Sequence, residues 1–267
     1  MEEKELYGIK EYAMGLAVRS GNILMKEFRT LAPEDIRLKS KRELVTKADL
    51  KVNKFLTSKI KKAYPDHSIL SEEEGFRQKQ KSEFLWVIDP LDGTTNYTMR
   101  MTFFATTLAL LHNGEPVIGI IYAPYTRELF VAEKGKGAKK NEERIRVSEQ
   151  TKIQDSFLTF AYSHQPNSLE RAIQAYKHFE FETRSMRHFG SSSLELAFVA
   201  AGRVEAQIIA PPVRLWDIAA GVLLVKEAGG KVTDFHGDER KIAFRGLVAS
   251  NGKVHNQILK IIKDKKI

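Results

Sequence analysis

The sequence predicts a layered α+β / α/β protein built from two lobes, residues 1–149 as an N-terminal antiparallel α+β lobe and residues 150–267 as a C-terminal α/β lobe. Three observations predict it: two one-sided helical stretches open the chain, short β-rich runs follow them, and strand-like and helix-like stretches alternate from about residue 150. No internal repeat, low-complexity tract or Pro/Ser-rich linker separates the halves, so the lobes must pack closely.

Ile9, Ala13, Leu16, Ala17, Leu24 and Phe28 form a helical stripe that ends before Pro33. A second helix starts at Thr46, where Thr46-Lys-Ala-Asp49 offers a capping box, carries Val52, Phe55, Leu56 and Ile60 on one face, and stops before Pro65. The β-rich runs are Ser68–Ser71, Phe84–Asp89, Phe103–Leu111, Val117–Tyr122, Glu128–Ala132 and Arg144–Val147. His112-Asn-Gly-Glu115 marks a hairpin, because Asn-Gly accepts the positive φ values of a tight turn. In the second half, strands are expected at Ser156–Phe160, Arg184–His188, Val204–Ile209, Lys231–Thr233 and Leu247–Ser250. Helices are expected at Leu169–His178, Ser192–Ala201, Trp216–Ala228 and Lys253–Ile262, with Gly202 and Gly229 as C-terminal caps.

The 267 residues include no cysteine, which excludes disulfides, zinc–thiolate sites and a cysteine nucleophile and agrees with a reducing, cytoplasmic setting. The first ten residues alternate charges where a signal peptide needs an apolar centre, and no apolar run approaches the ~18 residues of a membrane span, so a soluble, unprocessed chain is expected. Lys and Arg outnumber Asp and Glu by 43 to 34, a net charge of +9. Such a balance is compatible with nucleic acid or transcription machinery as a partner. The lysines are spread out, however, and the runs at Lys59/Lys61/Lys62, Lys139/Lys140 and Lys263/Lys265/Lys266 read as solvated faces, so nucleic acid is not expected to be the main partner.

The stretch most suggestive of chemistry is Trp86-Val-Ile-Asp-Pro-Leu-Asp-Gly-Thr-Thr-Asn-Tyr97. An apolar strand delivers Asp89 at its end, Pro90 interrupts pairing, and Asp92 follows with Gly93 and Thr94 behind it. Two carboxylates with the Leu91 carbonyl between them suit a hard cation such as Mg2+, and Gly93-Thr94 can open a helical turn whose N–H groups meet a phosphate. The same residues also favour an ordinary tight turn. Ser71-Glu-Glu-Glu-Gly75 is either an acidic ligand cluster or a solvated charge run. Asp217, in Leu215-Trp-Asp-Ile-Ala-Ala-Gly221, is either a ligand or a helix N-cap. The chain has no G-x-S-x-G, no Walker P-loop and no H-E-x-x-H, and Gly135-Lys-Gly137 lacks the third glycine of a dinucleotide fingerprint.

Taken together, the Glu-Glu block, Asp89-Pro-Leu-Asp-Gly-Thr-Thr-Asn-Tyr97, and Trp216-Asp-Ile-Ala-Ala-Gly221 followed by Lys226-Glu-Ala-Gly-Gly230 closely resemble the inositol monophosphatase family, in its order and spacing. That is the Mg2+-dependent, lithium-sensitive sugar-phosphatase superfamily, and the resemblance runs from the first helix to the end of the chain. It implies an αβαβα sandwich of the sugar-phosphatase type, two or three Mg2+ ions per subunit, a homodimer, and hydrolysis of inositol 1-phosphate or related polyol and sugar phosphates by a metal-activated water. By the same resemblance Glu72, Asp89 and the Leu91 carbonyl hold an activating metal, while Asp89, Asp92 and Asp217 hold a second. Glu73 supports a third ion or acts from behind the ligands, and Asp49 with Thr94 orients and deprotonates the attacking water. Two ions in such a site clamp the attacking and leaving oxygens of an in-line displacement without a covalent intermediate.

Phe189-Gly-Ser-Ser-Ser193 matches the family's substrate segment, which implies that Gly190, Ser191 and Ser192 meet sugar or cyclitol hydroxyls; a serine N-cap is the alternative. Six residues before Trp216, where inositol-specific members carry a ring-binding glutamate, stands Ala210. That departure weakens strict inositol selectivity, and Arg214 is placed to meet the second phosphate of fructose 1,6-bisphosphate, or else is a surface arginine beside the cleft. A regulatory, transcription-associated role on the same fold is the reading from another class. Phe103, Phe104 and Phe157 are candidates for core or for a dimer interface.

Overall fold

The computed structural model describes residues 3–77, 82–163, 165–239 and 246–267. The chain begins with α1 (Glu3–Thr30) and a 3-10 turn (Pro33–Asp35). A hairpin of β1 (Ile36–Leu38) and β2 (Leu44–Thr46) leads to α2 (Lys47–Ala63). The capping box forms as expected: Ala48 N–H and Asp49 N–H donate to Thr46 Oγ1, and Thr46 N–H donates to Asp49 Oδ2 at 2.8 Å.

An eight-stranded sheet follows. It comprises β3 (Ser68–Ser71), β4 (Gly75–Arg77), β5 (Phe84–Asp92), β6 (Ala105–His112), β7 (Glu115–Ala123), β8 (Glu128–Glu133), β9 (Gly137–Lys140) and β10 (Glu143–Arg144), with α3 (Thr94–Thr98) between β5 and β6. Its strand order is β10-β9-β8-β7-β6-β5-β3-β4. Asn113 and Gly114, at φ 50° and 83°, make the expected turn between β6 and β7.

The second sheet consists of β11 (Phe157–Ala161), β12 (Ser185–Arg187), β13 (Ala206–Ile209), β14 (Lys231–Thr233) and β15 (Leu247–Ser250), in the order β12-β11-β13-β15-β14. It is joined by α4 (Pro166–Glu182), α5 (Ser192–Ala200), α6 (Leu215–Glu227) and the C-terminal helix α7 (His255–Lys265). Gly202 and Gly229 take the positive φ that ends α5 and α6, and Arg203 N–H and Gly230 N–H reach back to Phe198 O and Val225 O.

Strand alternation sorts the apolar residues of the first sheet into two cores. Trp86, Ile88, Leu108, Leu110, Ile118 and Ile120 pack on α1 and α2, whereas Val87, Ala109, Leu111, Ile121 and Ala123 join α5 and α6. The other side of α5 and α6 meets Ile209, Leu247 and Ala249, and the outer face of that sheet buries Phe179 of α4 and Ile258 and Ile262 of α7. Five layers result, the expected αβαβα sandwich. Both faces of β5, β6 and β7 are covered, which explains why they read as nearly unbroken apolar runs. At the centre, β7 and α6 touch backbone to backbone: a Cβ on Gly119 would sit 2.7 Å from Ala220 O and 3.1 Å from Ala220 Cα.

Several expectations need correction. The β1–β2 hairpin intervenes between the two helices, and the acidic run is the turn of a second hairpin, since β4 follows it. The first half is not purely antiparallel, because β3 pairs with β5 in parallel. In the second sheet β15 runs antiparallel to both β13 and β14; apolar periodicity carries no sign of strand direction. β6 starts at Ala105, since Asn96 takes the Phe103 carbonyl out of the ladder. The run Arg144–Val147 leaves the sheet after Arg144, with Val147 N–H turning to Ala228 O at the end of α6.

Candidate active site

The local geometry starts from a miscount of residues. Asp89 pairs with Thr107 and Asp92 with Ala105, so β5 spends one more residue than β6 across Pro90-Leu91. In a regular strand residues 89 and 92 face opposite sides. The bulge inverts the alternation: Trp86 and Ile88 face α1 and α2, and beyond Pro90 it is Leu91 that does so. Asp89 and Asp92 are thereby turned together toward the α5/α6 layer, both buried. Asp89 Oδ1 accepts Leu91 N–H at 3.0 Å, Gly93 takes φ 91°, and α3 opens at Thr94.

Four other segments converge there. From the first turn of α2, Asp49 Oδ1 accepts the Thr94 hydroxyl at 3.1 Å; that hydroxyl also lies 2.9 Å from Leu91 O. The β3–β4 turn brings Glu72 and Glu73, which both grip Lys39 of the β1–β2 hairpin, with Lys39 Nζ 3.0 Å from Glu72 Oε1. Asp217 comes from α6 at its third helical position; the N-cap is Arg214, so the capping alternative for Asp217 falls away. Arg214 stacks its guanidinium over the Trp216 ring at 5.8 Å and offsets part of the charge felt by Asp217.

The fifth segment is a strap, Phe189–Ser193, between β12 and α5. Ser191 Oγ donates to Asp92 Oδ2 at 2.6 Å, Ser193 N–H donates to the same oxygen at 2.8 Å, and the Ser193 hydroxyl joins them. Ser191 holds the N-cap position of α5 without capping it by its side chain. Asp92 does that work from the other sheet, where the helix N-terminus favours its anionic form. Ser192 begins α5 between the two serines that bind Asp92. Gly190, at φ 79°, passes against α3, where a Cβ would lie 3.2 Å from the Asn96 amide. Ala210 is buried just past β13 with its N–H on Ala161 O, so it presents no polar group to a ring.

The electrostatics mark this cluster as deficient in positive charge. Burial, reinforced by Glu72, Asp92, Asp217 and Asp49, raises Asp89 well above the ordinary carboxylate range. Asp217 is raised likewise by burial, Asp92 and Glu72. Asp92 is raised by burial, with the Ser191 and Ser193 hydrogen bonds pulling it back. Burial pushes Asp49 up to about 7. For Lys39, burial opposes the charge, but Glu72 and Glu73 outweigh it and hold the ammonium above its usual value. Among the described residues no three acidic or histidine side chains form a closed coordinating shell. The fit to Mg2+ rests on the donor chemistry: buried carboxylate oxygens that destabilise one another, with a carbonyl among them, lose that penalty when a hard dication joins them. A cleft of about 1550 Å3, lined by Arg171, Pro211, Phe235, Leu259 and Lys263 among others, holds none of these carboxylates.

Sequence reasoning missed Lys39, Ser193, Asn96 and Glu195. Lys39 sits in a charged stretch that reads as a linker. Ser193 was visible as the last serine of the strap segment. Asn96 donates to both Phe103 O, at 2.8 Å, and Phe189 O, at 2.6 Å. Glu195 is buried in an otherwise apolar helix, where a charged residue is itself the available signal. Of the three phenylalanines, Phe104 is core, Phe103 packs on Phe189 and Phe198, and Phe157 is 46% exposed beside Arg184.

A sandwich that gathers carboxylates from its first sheet and from α2 and α6 at one strand end, beside a hydroxyl–carboxylate pair, has the makings of a metal-dependent phosphatase. The chain belongs to the inositol monophosphatase family, whose profile matches residues 6–266. Members are phosphatases that generally depend on Mg2+. Similar proteins include the fructose-1,6-bisphosphatase/inositol-1-monophosphatase of Thermotoga maritima, 37% identical over 224 residues and 84% of each chain. Nus factor SuhB of Xylella fastidiosa is 36% identical over 254 residues, 92% of this chain and 91% of its own. The crystal structure of extragenic suppressor protein suhB from Bartonella henselae matches with a TM-score of 0.91 at 32% identity, covering 96% of this chain and 98% of the other. No described helix is long and apolar enough to cross a membrane.

Proposed function

We propose that this protein is a cytoplasmic, homodimeric Mg2+-dependent phosphomonoesterase acting on inositol 1-phosphate or related polyol and sugar phosphates. The observation that carries the reading is the convergence of Asp89, Asp92 and Asp217, whose negative charges oppose one another, beside the Asp49–Thr94 hydrogen bond. Glu72, Asp89, Leu91 O, Asp92 and Asp217 are the groups to hold metal, with Glu73 behind them. Two or three Mg2+ ions held there would supply Lewis acidity toward a water and would neutralise phosphate oxygens. Asp49, with its carboxyl near 7, is matched to accept a proton at neutral pH, and Thr94 hands it on through the 3.1 Å bond to Asp49 Oδ1. Thr46 N–H and its hydroxyl fix Asp49 by the other oxygen, so the base keeps one orientation. The N–H groups of Gly93 and Thr94 flank the phosphate, and Gly190, Ser191, Ser192 and Arg214 border the leaving group.

Ala210 in place of a ring-binding acid, with Arg214 nearby, supports acceptance of fructose 1,6-bisphosphate as well. The test is a panel of inositol 1-phosphate, fructose 1,6-bisphosphate and glycerol 2-phosphate with millimolar Mg2+, followed by phosphate release. Turnover of at least one ester, lost on chelation, is expected; no release from any would sink the reading. A second, regulatory reading draws on the net charge of +9 and on the SuhB relatives. Pull-down of RNA or polymerase that weakens with salt is its expected result.

A further inference from the structure

Glu195, in the first turn of α5, is a buried carboxylate with no part in the chemistry above. Its Oε1 accepts two backbone N–H groups, those of Phe189 and Gly190, each at 3.0 Å, and its Oε2 accepts Gln207 Nε2 from β13 at 3.2 Å. On the opposite side of the strap, Asn96 of α3 takes the Phe189 carbonyl. The Phe189–Gly190 segment is thus held from behind by Glu195 and from in front by Asn96. Contact with the metal-binding turn is close: a Cβ on Gly93 would come within 3.3 Å of Gly190 O. One or two residues on, Ser191 and Ser193 occupy Asp92 Oδ2.

We propose that Glu195 is a positioning residue for phosphate-ester hydrolysis. It seats the strap at the depth where its serines engage one oxygen of Asp92 and leave the other to the acidic cluster. This rests on the phosphatase reading. The argument against a merely structural role is energetic. A buried carboxylate is expensive to desolvate, and an apolar side chain of similar volume commonly serves the fold as well or better. What such a side chain cannot do is accept two successive backbone N–H groups and thereby fix the path of the strap. Asp92, whose charge is felt at Glu195, gains from that path a set of three neutral donors, and the donors fix which of its oxygens faces inward.

The test compares Glu195→Leu and Glu195→Gln with wild type in the full chain, by Mg2+ titration calorimetry and by kcat and KM on whichever ester the wild type hydrolyses best. Removing a group that orients a metal ligand is expected to cost about 10- to 100-fold in kcat and in Mg2+ affinity for Glu195→Leu, with KM moved less. Glu195→Gln keeps the acceptor oxygen, and the Gln207 carbonyl oxygen, which has no hydrogen bond, can receive the added N–H after an amide flip. It should therefore stay close to wild type. A folded Glu195→Leu with wild-type Mg2+ binding and turnover overturns the proposal, as does Glu195→Gln failing as badly as Glu195→Leu. If Glu195→Leu does not fold, Gly190→Ala displaces the strap with Glu195 intact, by driving a Cβ into the Asn96 amide; the same losses are expected, and wild-type behaviour refutes the role. A wild-type protein that binds Mg2+ yet hydrolyses no ester defeats the phosphatase reading alone, because the Mg2+ isotherms still decide what Glu195 does.

Discussion

Replacing Thr94 by valine isolates the hydroxyl on which the proposed proton path depends. Valine keeps the branched shape and the backbone N–H, so no cavity opens and the amide proposed to meet the phosphate survives. What disappears is one O–H shared between Asp49 Oδ1 at 3.1 Å and Leu91 O at 2.9 Å. Asp49 retains both contacts from Thr46, so a single hydrogen bond to a partly charged group is lost, worth about 1–2 kcal/mol. For a chain of this size that corresponds to about 2–4 °C in Tm. Turnover should suffer far more, by about 10²–10⁴-fold, the usual scale for losing a positioned proton acceptor's link to its water. Since the hydroxyl acts mainly in the transition state, kcat and kcat/KM should fall together. The assay pairs phosphate release at saturating Mg2+ with a thermal melt of the same preparation. A valine variant that melts a few degrees lower yet keeps kcat within about threefold of wild type would remove Thr94 from the path.

Two further perturbations test other parts of the structure. Asp217→Asn should cut turnover by at least about a hundredfold, because a neutral amide cannot supply the anionic oxygen. In chelator its melt should be no lower than wild type, since the substitution relieves crowding with Asp92 and Glu72; a clearly lower metal-free melt contradicts the charge account. His255, clasped between Thr233 and Ser250, has its folded pKa lowered to about 4 by burial and by Lys231, below the unfolded value of about 6.5. The unfolded chain then binds the extra proton first, so the contribution is fully present above about pH 6.5 and is lost as pH falls toward 4, by about 2 kcal/mol once screening is allowed for. Urea melts of wild type and His255→Gln across that window should converge at low pH; a constant gap refutes it.

The layers were readable from the sequence because burial on both faces leaves long apolar runs, and the caps at Thr46, Gly202 and Gly229 are local chemistry. Asp89 and Asp217 stood out for a related reason, one at the end of an apolar strand and the other at the start of an apolar helix, and Asp92 follows in the turn after Asp89. Other features depend on relations between distant segments. Lys39 reads as one of several charges between two helices, and only the fold brings it onto Glu72 and Glu73. Ser191 looks like a cap for its own helix, but Asp92, 99 residues away, takes its hydroxyl. Strand direction in the second sheet, and the β4 hairpin that turns the acidic run back, leave no mark in hydrophobic periodicity.

The extra residue in β5 makes the spacing of the two aspartates a matter of counting. A substitution at Pro90 or Leu91 changes packing, whereas the deletion of either residue removes the bulge, leaving the two carboxylates on one face at ordinary i, i+2 spacing without the local bend that the extra residue gives the strand. Lineages descended from such a chain are therefore free to vary loop lengths around the cleft, while any change of length between Asp89 and Asp92 alters the bulge that sets the geometry of the pair. For anyone redesigning the protein, this short segment is a ruler to be copied whole.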